Sequence, residues 1–208
     1  MFTGLIQTIG IVSKIERSAS EACFTVRSRL PLSALSTGAS VCHNGVCLTI
    51  TQSFPLDEKS GGGALHVVQA VEETLMRTNL GDMQEGSVLN LEPSLRIGDA
   101  LGGHLVFGHV DCLGTISQIK QVGEGWRIKI AAPDSFMPYI AQKGSVAVDG
   151  ISLTIASCDA KSFDIALIPH SYQATTMQYK AEGDTVNLEA DMLARYVERQ
   201  LTFAQGKL

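Results

Sequence analysis

The sequence predicts an all-β protein: two tandem small barrels built as an internal repeat, followed by one α-helix. Three observations predict this. The stretch Ser40-Val41-Cys42-His43-Asn44-Gly45-Val46-Cys47-Leu48-Thr49-Ile50 returns, altered, as Ser145-Val146-Ala147-Val148-Asp149-Gly150-Ile151-Ser152-Leu153-Thr154-Ile155, about half the chain later. Each copy is an apolar run, an Asn-Gly or Asp-Gly pair and a second apolar run, the strongest short-range signal for a β-hairpin. The segments around each hairpin are short runs of strand character separated by turn residues, roughly six per half, as a small closed barrel requires.

The elements follow in order. Gly4 to Ile15 reads as a long strand whose Gly10 marks a bend or bulge. Cys23 to Arg29 alternates and is its partner, and Pro31 to Leu35 is a short turn or helix. After the first hairpin, Phe54 to Ala64, with Pro55 and Gly61-Gly62-Gly63, reads as a flexible tip. Leu65 to Val71 is a strand, Glu72 to Arg77 one or two helical turns, and Gly86 to Leu91 a last strand. The second half replays this order. Gly108 to Ile119 matches Gly4 to Ile15, with Gly114 opposite Gly10, and Trp126 to Ala132 is a strand. Asp134 to Gln142 reads as a short helix with Asp134 as N-cap. Phe163 to Ile168 is a strand, Pro169 to Thr176 the helical segment, and Glu182 to Glu189 the last strand. Asp191 to Phe203 has no counterpart. Its Leu193, Tyr196, Val197 and Leu201 recur near helical spacing, with Asp191 as N-cap. That stripe must be buried, either on its own domain or on other subunits. The resulting units are 1–97, 98–190 and 191–208.

Composition excludes several classes. Of 208 residues, 45% are hydrophobic and 18% charged, a globular balance with enough apolar side chains for substantial cores. The net charge of −5 gives no electrostatic reason to bind nucleic acid. Five cysteines with no Cys-x-x-Cys pair indicate reduced thiols in a cytoplasmic protein, neither a zinc site nor a disulfide framework. No signal peptide and no apolar run of about 20 residues is present, so no membrane is expected. No phosphate loop, dinucleotide fingerprint or metal signature occurs. His104 and His109 are five residues apart, on opposite faces of an extended segment, which argues against a shared metal. No cofactor or metal is expected.

The repeat carries the chemical argument. Two similar domains make two similar pockets, which suit two molecules of one ligand. Holding them together lowers a reaction barrier through positioning alone. The copies differ where chemistry matters: Ser152 stands opposite Cys47, His109 opposite Leu5 and Asp191 opposite Ser94. Each also has a plain structural reading: Cys47 as core, Asp191 as a helix cap, Ser152 and Thr154 as strand residues.

Met1-Phe2-Thr3-Gly4, Gly38-Ala39-Ser40-Val41, His43-Asn44-Gly45, Cys47-Leu48-Thr49, Thr78-Asn79-Leu80-Gly81, Gly102-Gly103-His104, Gly108-His109, Asp149-Gly150-Ile151-Ser152-Leu153-Thr154 and Ile168-Pro169-His170 together resemble the riboflavin synthases of the homotrimeric, alpha-chain type. The resemblance runs from Met1 to about Leu201 with both repeats in register. It implies two six-stranded Greek-key barrels and a C-terminal helix joining three subunits. It implies a cofactor-free transferase that dismutates two 6,7-dimethyl-8-ribityllumazine molecules into riboflavin and 5-amino-6-ribitylamino-2,4-pyrimidinedione, the last step of riboflavin biosynthesis. It also implies lumazine synthase as a candidate partner and a site between the N-terminal barrel of one subunit and the C-terminal barrel of the next.

Carried over by motif, Ser40, Cys47 and Thr49 line the N-barrel pocket, with Gly4 near its mouth. His109, Ser152 and Thr154 line the C-barrel pocket. Ile168, His170 and Ser171 sit at its rim, Glu73 and Thr74 do the same in the first copy, and Asp191 binds ribityl hydroxyls. The expected catalytic group is His109 for proton transfer with Ser152 or Cys47 orienting the attacking species, and Ser40 beside them. A non-catalytic lumazine- or flavin-binding protein of the same fold is the alternative. Polar residues in both pockets favour the enzyme.

Overall fold

The computed structural model describes residues 1–57 and 62–206. Gly61, the first residue of the glycine-rich tip, lies outside the described residues. The first half holds β1 (Thr8–Arg17), β2 (Glu21–Ser28), β3 (Ser40–His43), β4 (Val46–Pro55), β5 (Ala64–Val71), α1 (Glu72–Arg77) and β6 (Val88–Pro93). The second holds β7 (Cys112–Val122), β8 (Gly125–Ala131), β9 (Ser145–Val148), β10 (Ile151–Cys158), β11 (Ser162–Leu167), α2 (Pro169–Gln173) and β12 (Thr185–Ala190), and α3 (Met192–Ala204) follows. Each set of six strands closes on itself, β1-β2-β5-β4-β3-β6 in one barrel and β7-β8-β11-β10-β9-β12 in the other. Both are Greek keys, and closure leaves neither sheet an open edge.

Strand alternation fills each interior. Phe24, Val41, Ile50, Val68 and Leu91 meet in the first barrel, and Ile116, Ile130, Val146, Phe163 and Leu188 in the second. Each such side chain contributes about 1.5–3 kcal/mol by leaving water. Gly10 and Gly114 serve this packing and mark no bulge. A Cβ on Gly10 would lie 2.6 Å from Leu91 Cδ1, and one on Gly114 2.7 Å from Leu188 Cδ1. The register shifts fall farther along, between Val12 and Lys14 and between Ile116 and Gln118. The first barrel departs from the second in one respect. His43 and His66 point inward where the second has Val148 and Phe163, and their Nε2 atoms are 2.8 Å apart.

The barrels meet about a local pseudo-twofold axis. Phe2 and Val106 exchange backbone hydrogen bonds of 2.7 and 3.1 Å, and Cys42 and Ala147 pack against them. The turn residues Asn44, Gly45, Asp149 and Gly150 all have φ between 45° and 83°, as a two-residue primed turn requires. The turn glycines lie against each other: a Cβ on Gly45 would lie 2.8 Å from Gly150 N. Asn90 Nδ2 donates to the Asp149 carbonyl at 2.9 Å and Asn187 Nδ2 to the Asn44 carbonyl at 2.7 Å, so these two buried turn carbonyls are paired.

One further sequence expectation changes, and one left open is narrowed. The helix over 134–142 is only a 3-10 turn, Met137–Tyr139, and Asp134 does not cap it. Pro138 lacks an N–H and disfavours helical geometry at Met137. α3 forms as expected, Asp191 Oδ1 accepting from Leu193 N at 2.9 Å. Its stripe does not bury itself on its own domain: Leu193, Tyr196, Val197 and Leu201 are 57–74% exposed. Among the described residues, no helix is long and apolar enough to cross a membrane.

Candidate active site

The barrel interiors are packed with side chains, so the candidate site residues are found on the outer faces of the repeated hairpins. Alternation turns Val41, Leu48 and Ile50 inward and leaves Ser40, Cys47 and Thr49 on the other face, Ser40 opposite Thr49. In the repeat, Ser145 stands opposite Thr154 and Ala147 opposite Ser152. Thr49 and Thr154 are exposed, and Ser40, Cys47 and Ser152 are half-buried.

On the first hairpin, the segment leading into the other barrel lies across Cys47. Cys47 N donates to the Gly108 carbonyl at 2.9 Å. Gly108 has φ +77°, and a Cβ there would sit 2.5 Å from Cys47 Cβ, so only glycine allows this approach. Glu189 fixes the segment by accepting from Phe107 N (2.7 Å), Gly108 N (2.9 Å) and His109 N (3.1 Å). A groove of about 220 Å³ results, lined by Cys47, Glu73, Thr74, Arg77, Gly108 and His109. Glu73 pairs with Arg77 at 3.1 Å on its exposed wall. His109 therefore lines the Cys47 groove, where the sequence reading placed it in the C-barrel pocket. Repeat alignment identified its counterpart, Leu5, but carries no information on which barrel the connecting segment crosses.

The second hairpin mirrors this. Ser152 N donates to the Gly4 carbonyl at 2.8 Å, and a Cβ on Gly4 (φ +74°) would lie 2.5 Å from Ser152 Cβ. Glu92 accepts from Thr3 N (2.7 Å), Thr3 Oγ1 (2.6 Å) and Gly4 N (2.9 Å). Gly4 thus belongs to the Ser152 site, and the expectation that it borders the N-barrel pocket is corrected for the same reason. Burial pushes the Glu92 and Glu189 carboxyls up, against the pull of the N–H groups they accept from.

The mirror breaks at the link between barrels. A Cβ on Gly103 would lie 2.7 Å from Ser152 Cβ, and the next residue, His104, has Nδ1 2.7 Å from Ser152 Oγ. Burial lowers the His104 pKa, while the charge of nearby Asp191 raises it. Serine and imidazole thereby meet at the second hairpin, with the Asp191 charge acting on the imidazole. The first hairpin has a thiol and the exposed His109.

The lumazine binding domain family matches this chain twice, over residues 3–94 and 107–191. Riboflavin synthase of Brucella abortus is 42% identical over 199 residues, covering 96% of this chain and 97% of that one. Riboflavin synthase of Mycobacterium tuberculosis is 38% identical over 208 residues, covering 98% and 100%. The chain belongs to the riboflavin synthase family. The fold recurs in LumP crystallised with 6,7-dimethyl-8-(1'-D-ribityl) lumazine (TM-score 0.77, 19% identity) and with riboflavin (TM-score 0.78, 21% identity), each covering 91% of this chain and 99% of LumP.

In this riboflavin synthase family member the structure brings Cys47, Glu73, Thr74 and His109 together, and separately Gly4 and Ser152 with His104. His170 and Ser171 lie on α2, the counterpart of Glu73 and Thr74 on α1, and Ile168 is its exposed N-cap residue. Ser171 O accepts from Thr175 Oγ1 at 2.8 Å. Asp191 spends one carboxylate oxygen capping α3 and lends its charge to His104. Sequence reasoning missed His104, Glu92 and Glu189. The Gly102-Gly103-His104 motif, one of those that carry the family resemblance, was the signal for the first, but no role follows from it until Ser152 is seen beside the imidazole. The two glutamates end matching strands and look like ordinary polar residues until their N–H partners are seen.

Proposed function

We propose that this chain is a transferase that dismutates two molecules of 6,7-dimethyl-8-ribityllumazine, moving a four-carbon unit from one to the other. Riboflavin and 5-amino-6-ribitylamino-2,4-pyrimidinedione are the products. One observation carries the reading: the same hairpin face is presented twice, each crossed by a glycine held by a buried glutamate, in a chain whose full-length relatives are riboflavin synthases. Two like sites suit two like substrates.

The chemistry needs a proton removed from a methyl group of one lumazine and a nucleophile added to a ring carbon of the other. With its proton on Nε2, His104 accepts the Ser152 hydroxyl hydrogen through Nδ1. Burial favours the neutral imidazole that this requires. Ser152 then orients or activates the attacking oxygen, and Asp191 stabilises the imidazolium that forms. In the other groove, Cys47, Thr49 and Ser40 face the ring, Glu73 and Thr74 form the wall, and His109 exchanges protons with solvent. Thr154, Ile168, His170 and Ser171 hold the second lumazine. No metal or organic cofactor takes part.

The exposed stripe of α3 supports assembly into trimers, with each reaction centre shared between the N-terminal barrel of one subunit and the C-terminal barrel of the next. Its solution mass should be that of three chains. The working units are 1–97, 98–190 and 191–208. The test is anaerobic incubation of the purified protein with 6,7-dimethyl-8-ribityllumazine alone. Riboflavin at half the lumazine consumed is expected. Tight binding without product would replace the enzyme with a carrier.

A further inference from the structure

We propose that Cys42 and Cys47 form a reversible, peroxide-driven disulfide that switches off the N-barrel site. The two residues are direct cross-strand partners in the β3–β4 hairpin. The pair is of the non-hydrogen-bonded kind, because Cys47 N donates instead to the Gly108 carbonyl at 2.9 Å. Such pairs hold their Cα atoms about 4.5 Å apart with both side chains on one face. That lies at the short end of the roughly 4.4–6.8 Å span a disulfide bridges. The thiols also share a cluster, Cys47 packing against buried Cys42, Phe2 and Val106.

Their environments divide the labour. Cys47 is partly exposed in a groove open to small solutes, whereas Cys42 is 1% exposed. Burial pushes the Cys42 thiol up, so it stays protonated and inert towards peroxide on its own. The Cys47 thiolate attacks a peroxide oxygen, the O–O bond breaks, and a sulfenic acid and hydroxide result. Cys42 sulfur then attacks the Cys47 sulfur. The S–O bond breaks, and the leaving oxygen departs as water with the Cys42 proton. Two thiols and one peroxide become one disulfide and two waters. The second barrel has Ala147 and Ser152 at these positions, so the switch belongs to one site only.

The consequence for turnover rests on the reading that Cys47 faces a lumazine. The bond itself does not, so the test reads the two separately. Both cysteines fall on one tryptic peptide, between Arg29 and Lys59. The full chain is treated with hydrogen peroxide, alkylated and digested. The expected peptide is lighter by two hydrogens, unalkylated at both cysteines, and returns to the alkylatable form after dithiothreitol. Activity is expected to fall and recover in parallel. Cys42→Ala, the residue the second barrel uses, should keep basal activity. It should lose the dithiothreitol-reversible protection, because Cys47 goes on to sulfinic acid. A peptide that remains alkylatable at both thiols, or a Cys42→Ala variant that recovers as fully as the parent, would overturn the switch. A disulfide formed in a protein that does not turn lumazine over would leave the switch standing and remove the enzymatic reading.

Discussion

The Cys47 groove and the Ser152 site are built alike and equipped differently. Each is a hairpin face crossed by a glycine whose backbone is fixed by a buried glutamate, Glu189 for the first and Glu92 for the second. Over Ser152 the chain between the barrels adds Gly103 and His104, and α3 begins with Asp191 close by. Gly103 and His104 come from the link between the two copies, and Asp191 ends the second copy where the first has Ser94. A duplicated fold therefore presents two like hairpin faces, and the Cys47/Ser152 exchange together with the link residue His104 makes them chemically different.

The largest expected effect tests the shared architecture. Glu92→Ala strands three buried donors and should lower stability by about 3 kcal/mol or more in urea unfolding, and Glu189→Ala, which strands one buried and two partly buried donors, should cost about 1–3 kcal/mol. The milder Glu189→Gln should raise the alkylation rate of Cys47, and Glu92→Gln should leave it unchanged. Equal effects would mean that the segments do not guard separate sites.

Next is the chemical difference. Ser152→Ala and His104→Ala should each reduce kcat by about 10²-fold or more, the range for a lost acid–base group. Burial lowers the His104 pKa, so the acid limb of the wild-type rate profile should lie below the ordinary histidine value near 6.5. It should vanish in His104→Ala and persist in His109→Ala. The reverse pattern would return the base to the Cys47 groove.

A third prediction compares the cores. Burial holds His43 down to about 3 and His66 down to about 4, and His66 Nδ1 has no hydrogen-bond partner among the described residues. Between those values and about 6.5 the unfolded chain binds more protons than the folded one, so stability rises with pH. The imidazoles destabilise little above pH 6.5, and stability is lost as pH falls from there towards 4. At pH 5 the loss is about 2 kcal/mol per imidazole. Replacing the pair by the residues of the second barrel, His43→Val with His66→Phe, should flatten that part of the melting-temperature profile. An unchanged acid slope would place the sensitivity elsewhere.

The smallest effect is expected at Glu73. Its ion pair with Arg77 is exposed, so Glu73→Gln should change stability by about 0.5 kcal/mol or less. Any rise in KM then reports contact with the ligand, whereas a parallel fall in stability would make the residue structural.

Legibility followed the range of the interactions. The hairpins, the two closed barrels and α3 with its Asp191 cap were readable, because alternation, turn chemistry and capping act over a few residues. The helix over 134–142 misled because one proline outweighed an otherwise acceptable pattern. Of the candidate site, Cys47 and Ser152 stand out from the repeat, and Ser40, Thr49 and Thr154 were named only through the family resemblance. His109 and Gly4 were found and assigned to the wrong barrel, and His104 was seen without its role.

The sequence by itself determined the duplication, the succession of strands along each half and which side chains of the hairpins face outward, since each is set by local periodicity and turn geometry. Only the tertiary structure decided that residues 1–6 lie on the second barrel and 106–110 on the first, that Glu92 and Glu189 hold them there, and that His104 meets Ser152. Those contacts join residues 48 to 148 positions apart, and such pairings arise from how two closed surfaces bury their remaining donors and apolar atoms against each other. No local pattern encodes that choice.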